Sequence, residues 1–305
     1  MNNLDKLHII TINCKSLDVR FNEIKLLVEE NNPDIICVTE TWLSNEKVAK
    51  YKYNINGYVN IFQNRQHGNG GGLAMFIKDS IIYNKLNIET FDGGHLETQT
   101  IEIILKNNRY LHILNYYNPC KNIDINELEH YINHLQHPFL AVGDLNCHTP
   151  LLKEGDANNI TGKNLEILLV RNDVCLINPL NFYTYLDPRT GNTSCLDVCL
   201  CSPSLLESTN ITRLEDIGSD HYPLLLKIEK PPIRNIIMNA PKWNLKGVNW
   251  NQWAKDIPSI TINRNTTNVE ALHNDIEERI NHSNKINIKK SKTKETSYME
   301  KYSMV

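Results

Sequence analysis

Several apolar runs in this 305-residue sequence end abruptly in polar residues of the kinds that handle phosphate esters. Asn13 closes "LHIITIN", Glu40 sits in "VTETW", and Asp144 and Asn146 sit in "VGDLNC". Asp197 interrupts "CLDVC", and Ser219, Asp220 and His221 open "SDHYPLLL". Singly, each has a dull explanation: a solvated acid at a strand end, a turn residue, a structural histidine. Asp197 is harder to dismiss, because a carboxylate in an apolar run is costly to bury without a donor or cation. Together they can do chemistry. Carboxylates from different strands can hold a hard divalent ion through oxygen, and such an ion offsets charge on a reacting phosphate. A buried Asp bonded to one histidine nitrogen leaves the other free to donate. A second Asp can take a proton from an attacking water. Side-chain amides hold phosphate oxygens without adding negative charge.

These residues need scaffolding that brings distant strand tips to one place. The pattern predicts strands at 7–13, 34–41, "YVNIFQN", "GLAMFIK", "IIYNKL", "TQTIEIIL", "RYLHILNYY" and 139–146. Further strands are expected in "DVCLINP", "SCLDVCLCS", "ITRLEDI" and "HYPLLLKIE". Amphipathic helices are predicted over 17–31, 124–135 and 162–172, with Asp124 as an N-cap. Eleven or twelve strands with three helices suit an α/β (α+β) four-layer αββα sandwich, two mixed sheets with helices outside. A parallel doubly wound sheet would need a helix after nearly every strand. Gly70, Gly71 and Gly72 lack a following GK[ST] and a helix, so they read as a flexible lead into a strand rather than a phosphate cradle.

The 41 % apolar content can fill a sizeable core. No apolar run approaches the roughly 18 residues of a bilayer span, and the first residues carry no secretory pattern. The expectation is a soluble, intracellular monomer that does not engage membranes. Eight cysteines without a CxxC read as reduced core residues rather than zinc ligands. The net charge of −3 is unevenly spread: residues 230–305 hold 13 Lys/Arg against 7 Asp/Glu. "KPPIRN" marks a change of character, so 1–229 is expected as the folded domain. Residues 230–305 are expected as a basic, partly disordered tail with three tryptophans and little core of its own. The acidic body argues that any nucleic-acid contact on it is local.

The stretches "IITIN", "PDIICVTETWL", "LNYYNP", "AVGDLNC", "SCLDVCLCS" and "GSDHYPLLL", taken in order over about residues 7–229, resemble the endonuclease/exonuclease/phosphatase superfamily. That superfamily includes apurinic endonucleases and pancreatic-type deoxyribonucleases, and its fold is the DNase I-like sandwich. "GNGGGLAMFIKDSI" and "PKWNLKGVNW" look more like the endonuclease domains of LINE-type, jockey-like non-LTR retrotransposons. The resemblance implies roles by position. Asn13, Glu40 and Asp220 match the metal-site residues, with Mg²⁺ the expected ion and Mn²⁺ an alternative. Asp144 matches the acid that handles the water's proton, Asn146 the adjacent phosphate-binding amide, and Asp197 the acid that orients His221. Tyr117 matches the site tyrosine, with Tyr116 the alternative one residue earlier. Thr193, Ser194 and Ser219 are candidate phosphate contacts. Where apurinic enzymes carry an acid two residues after the first asparagine, this sequence has Lys15, and the glycine usual next is Ser16.

The activity so implied is divalent-metal-dependent nicking of DNA to a 5′-phosphate and a 3′-hydroxyl, which in a retrotransposon primes reverse transcription. The nucleus is then the expected compartment. No reverse-transcriptase motif such as YxDD is found, so that domain is expected in the full element and absent here. Two other readings stand beside it: a phosphoesterase of the same fold acting on a lipid or inositol head group, and a decayed nucleic-acid-binding module.

Overall fold

The computed structural model describes residues 6–51, 53–65, 70–105, 109–136 and 138–229, and beyond them 243–244, 248–256 and 289–290. The chain divides into two compact units, 1–233 and 234–305. The first contains, in order, β1 (Lys6–Asn13), α1 (Leu17–Asn31), β2 (Ile35–Thr39), α2 (Asn45–Tyr51), β3 (Tyr58–Gln63), β4 (Leu73–Lys78) and β5 (Tyr83–Leu86). β6 (Glu97–Leu105), β7 (Arg109–Tyr117), α3 (Ile125–His134), β8 (Phe139–Asp144), α4 (Ile160–Arg171) and β9 (Cys175–Leu176) follow. β10 (Tyr185–Leu186), β11 (Thr193–Ser194), β12 (Asp197–Cys201), α5 (Pro203–Leu206), β13 (Thr209–Arg213) and β14 (Leu224–Glu229) complete it.

The strands form two six-stranded sheets, β13-β14-β1-β2-β4-β3 and β5-β6-β7-β8-β12-β9. Each is mixed: β1 and β2 run parallel in the first, β7 and β8 in the second, and the other pairs are antiparallel. Alternation along each strand gives every sheet two apolar faces. The inner faces meet in a central core that includes Ile9, Ile35, Met75, Ile113, Val142, Cys199 and Leu226. Outside one sheet, Leu17, Ile24 and Val28 of α1 pack on Ile10, Ile36 and Phe76. Outside the other, Leu128 and Ile132 of α3 and Leu165 and Leu168 of α4 pack on Leu114, Ala141 and Leu200. The result is the four-layer αββα sandwich. Each fully buried Leu, Ile or Phe in these layers contributes about 1.5–3 kcal/mol. Cys14, Cys37, Cys147, Cys199 and Cys201 are buried and unpaired, as core residues.

α1, α3 and α4 fall where periodicity places them, and the Asp124 side chain accepts from the Asn126 N–H as the N-cap. Four expected strands need correction. "SCLDVCLCS" is two pieces: Thr193–Ser194 pairs with Tyr185–Leu186 in a small ribbon, and Asp197–Cys201 joins the large sheet. The break arises because the Thr184 hydroxyl takes the N–H groups of both Leu196 and Asp197, at 3.0 Å each. "HYPLLLKIE" becomes strand only at Leu224, because Pro223 has no N–H and the Tyr222 N–H bonds the Thr184 carbonyl. "ITRLEDI" is strand over Thr209–Arg213, and "DVCLINP" only over Cys175–Leu176. The short helices α2 and α5 have no periodic signal in the sequence.

In the second unit, Trp243–Asn244 (β15) pairs antiparallel with Lys289–Lys290 (β16). The rings of Trp250 and Trp253 on α6 (Trp250–Asp256) lie 5.7 Å apart, edge to face. The expected disorder of the tail falls mainly outside the described residues.

Candidate active site

Parallel pairing sets the geometry. Because β1 and β2 run together, Asn13 lies opposite Thr39, which places Glu40 at the same sheet end. Because β7 and β8 run together, Tyr117 lies opposite Asp144. β12 is antiparallel to β8, so its first residue, Asp197, faces Asp144 directly. β14 is antiparallel to β1, with Leu224 opposite Thr11, so the loop carrying Asp220 and His221 reaches the same edge.

The side chains then lock together across the two sheets. The Asn13 amide donates to Glu40 Oε1 at 2.9 Å and to Asp144 Oδ2 at 2.9 Å. Asp144 is 1 % exposed, and its Oδ1 accepts the Asn146 N–H at 2.9 Å. His221 Nδ1 lies 2.7 Å from Asp197 Oδ2, while Nε2 is 3.8 Å from Asp144 Oδ2, too far for a hydrogen bond. Tyr117 faces the site, where burial and the nearby Glu40 charge raise its phenol, whereas Tyr116 points to the other face and donates to the Val198 carbonyl. The structure therefore brings Asn13, Glu40, Tyr117, Asp144, Asn146, Asp197, Asp220 and His221 to one edge.

The hydroxyl candidates differ. Ser219 donates to the Asn13 carbonyl and accepts the His221 N–H, so it braces the loop. Thr193 and Ser194 pair in the β10–β11 ribbon, with the Thr193 carbonyl held by Lys153 at 2.7 Å. The Asn146 amide points inward, to the Asn118 carbonyl at 2.8 Å and to Asp144 at 3.2 Å.

Electrostatics separates the acids. Burial pushes the Asp144 carboxyl up to about 7, with Asp197 adding to the rise and His221 opposing it. For His221, burial acts downward, but the Asp197 and Asp144 charges and the Asp197 hydrogen bond outweigh it and raise the imidazole to about 9. Asp144, Asp197 and His221 present ligand atoms within 4.8 Å of one another, a spacing that could hold a metal ion. His221 Nδ1 and Asp197 Oδ2 already engage each other, so this trio is suited to moving a proton. The better place for a hard cation is beside it. Asp220 Oδ1 is buried with no donor among the described residues, and the partly exposed Glu40 carboxylate lies at the same edge. Carboxylate oxygens of this kind are the donors that Mg²⁺ or Mn²⁺ takes.

Four residues of this edge carried no functional signal in the sequence reading. The Trp42 indole N–H donates to Glu40 Oε2 at 3.1 Å, and Thr184 positions the Asp197 backbone. Tyr185 packs edge-on against the His221 ring at 4.9 Å. Arg65 stands 5.9 Å from the Tyr117 ring centre.

One backbone position is indispensable to this packing. Gly143 has φ +146°, and a Cβ there would sit 1.9 Å from the Tyr116 carbonyl oxygen on the adjacent parallel strand. Gly143→Ala must separate β7 from β8 just before Asp144. It is expected to cost about 3 kcal/mol or more, read as a lowered urea midpoint at unchanged m-value; an unchanged midpoint would refute the close approach.

The endonuclease/exonuclease/phosphatase family profile matches residues 10–221, more than half of the sequence. The chain belongs to that family. Solved structures share its fold. The endonuclease domain of TRAS1, a telomere-specific non-LTR retrotransposon, superposes with a TM-score of 0.60 at 14 % identity over 74 % of this chain and all of that one. The Xenopus laevis APE2 catalytic domain gives 0.59 at 18 % identity, over 74 % of this chain and 93 % of the other. The Leishmania major AP endonuclease LMAP gives 0.58 at 15 %, over 76 % and 90 %. Family membership and fold support hydrolysis of phosphate esters by a nuclease-type site.

Proposed function

We propose that this protein is a divalent-metal-dependent DNA endonuclease that leaves a 5′-phosphate and a 3′-hydroxyl, and that the nick primes retrotransposition in the nucleus. The observation that carries the reading is the buried Asp197–His221 pair set beside Asp144 and Asn13, at the edge that also holds Glu40 and Asp220. Glu40 and Asp220 would hold Mg²⁺ or Mn²⁺, with Asn13 fixing the Glu40 carboxylate. The ion, once bound, offsets negative charge on the phosphate. Asp144 is the group for the water's proton, and protonated His221 donates from Nε2 to a phosphate oxygen. Asn13 and Trp42 hold the Glu40 carboxylate in place. The retrotransposon assignment draws on the "GNGGGLAMFIKDSI" and "PKWNLKGVNW" stretches together with the TRAS1 likeness.

The test is supercoiled-plasmid nicking with Mg²⁺ and with EDTA, followed by resealing of the nick with DNA ligase. Metal-dependent, ligatable nicks are expected. Activity on inositol or lipid phosphates with none on DNA would overturn the substrate, and persistence in EDTA would overturn the metal. Glu40→Gln should raise the Mg²⁺ concentration needed for half-maximal nicking by at least about tenfold, with rate largely recovered at high Mg²⁺. A rate that Mg²⁺ cannot restore would remove Glu40 from the metal site.

A further inference from the structure

Lys15 stands at this edge as the chain's own cation. Its ammonium lies 2.5 Å from Asp220 Oδ2, joining residues 205 positions apart. The backbone is bent to put it there. Lys15 has φ +46° and Ser16 φ +100°, conformations that cost non-glycine residues about 1–3 kcal/mol each. The turn is fixed by the Lys15 N–H bonding Asn13 Oδ1 at 3.2 Å, and by the Ser16 and Leu17 N–H groups bonding the carbonyls of Glu40 and Thr41 at 2.9 Å. The partner is equally constrained. Arg20 holds the Gly218 carbonyl, Asp216 accepts the Gly218 N–H at 2.6 Å, and Ser219 bonds the Asn13 carbonyl at 2.7 Å. The loop that carries Asp220 is thus held at this edge, and the second Asp220 oxygen is buried without a donor among the described residues.

The geometry says what this contact does. The ammonium occupies Asp220 Oδ2 and leaves Oδ1 as the oxygen of that carboxylate open to a cation. A positive charge already stands where an ion on Oδ2 would sit, and a second ion there would be repelled.

We propose that Lys15 substitutes for a second divalent cation: its ammonium neutralises one side of Asp220, and the site binds a single ion, on the carboxylates of Asp220 and Glu40. Lys15 is thus a positioning residue for the metal. The inference rests on the metal-dependent reading given above, but its test needs no catalysis.

Mn²⁺ binding to the full chain without DNA, followed by electron paramagnetic resonance of the free ion, gives stoichiometry and affinity. One ion is expected for the wild type. Lys15→Gln should bind that ion about tenfold more tightly, because a unit charge roughly 5 Å away no longer repels it. Lys15→Arg, which keeps a cation, should match the wild type. Lys15→Asp should take up a second ion. Far-UV circular dichroism and thermal unfolding check that each variant is folded; should Lys15→Asp not fold, the Gln and Arg pair decides. Two ions on the wild type, or equal affinity in Lys15→Gln and wild type, would overturn the inference while leaving the nuclease reading intact. No ion on the wild type would overturn the metal-dependent reading itself, and this inference with it.

Discussion

Asp144→Asn should lower the nicking rate by about 10²–10⁴-fold while DNA affinity stays the same or rises. The substitution is nearly isosteric, and its one oxygen can keep the Asn146 N–H bond, while its amide nitrogen then faces the Asn13 amide that donated to Oδ2, so one local bond is lost. What it removes is the ability to take a proton. That ability matters only on the way to the transition state, so the loss belongs in kcat rather than in ground-state binding. Removing a negative charge beside the phosphate also relieves repulsion. Stability provides an internal control. Asp144 is raised to about 7 by burial, so folding disfavours its ionised form. The folded protein binds this proton more tightly than the unfolded one, and that contribution is present at low pH and lost as pH rises through about 7. The neutral amide avoids that loss, which offsets the missing Asn13 bond, so the variant should melt within a few degrees of wild type at pH 8. Near-normal nicking, or rescue by Mg²⁺ of the kind expected for Glu40→Gln, would remove Asp144 from its proposed role. A sharply lower melting temperature would assign the lost activity to misfolding instead.

How far the sequence reveals this edge depends on the kind of relation involved. Apolar runs and their polar ends are local, so the tips at Asn13, Glu40, Asp144 and Asp197 are visible one by one. That they share an edge is a consequence of β1 and β2, and β7 and β8, pairing in parallel; the ordered motifs of the family supply this, and periodicity does not. Alternation shows that Tyr116 and Tyr117 face opposite ways but not which faces the site. The Val198 carbonyl that receives the Tyr116 hydroxyl lies 82 residues on. Thr184 and Tyr185 are illegible for a similar reason. In "FYTYLD" they resemble turn residues, and their partners Asp197 and His221 are met only when the ribbon folds over the edge. Lys15 is visible as a departure from the family pattern, yet its meaning comes from a partner 205 residues away. Two of the strand misplacements have a local cause. A single side chain, Thr184, or a missing N–H, Pro223, ends a ladder that the apolar pattern would have continued.

The pH profile should show both halves of the proton machinery. For the wild type, kcat/KM for nicking is expected to be bell-shaped, falling below about 7 as Asp144 gains a proton and above about 9 as His221 loses one. His221→Ala removes the alkaline limb, and the rate should fall by about 10²–10⁴-fold with no rescue by added Mg²⁺. Asp197→Asn is the sharper experiment, because it leaves the imidazole in place. Burial alone lowers the His221 pKa, and the Asp197 charge and hydrogen bond are the main reasons it is raised instead. Without that carboxylate the imidazole should be neutral at pH 7.5. The new amide can donate its N–H to Nδ1, which leaves the ring hydrogen on Nε2, so the ring keeps its orientation and the variant loses the positive charge rather than the donor. Its rate should therefore fall less than that of His221→Ala. Asp197 also helps raise Asp144, so both limbs of the profile should move to lower pH together. Stability should follow the same sign. A histidine raised from 6.5 to about 9 contributes stability that is fully present below 6.5 and lost as pH rises through 9. In Asp197→Asn, unfolding measured by denaturant should no longer show that loss between 6.5 and 9. An alkaline limb unmoved in Asp197→Asn would mean that the group titrating near 9 is not His221, and that the pair does not act as described.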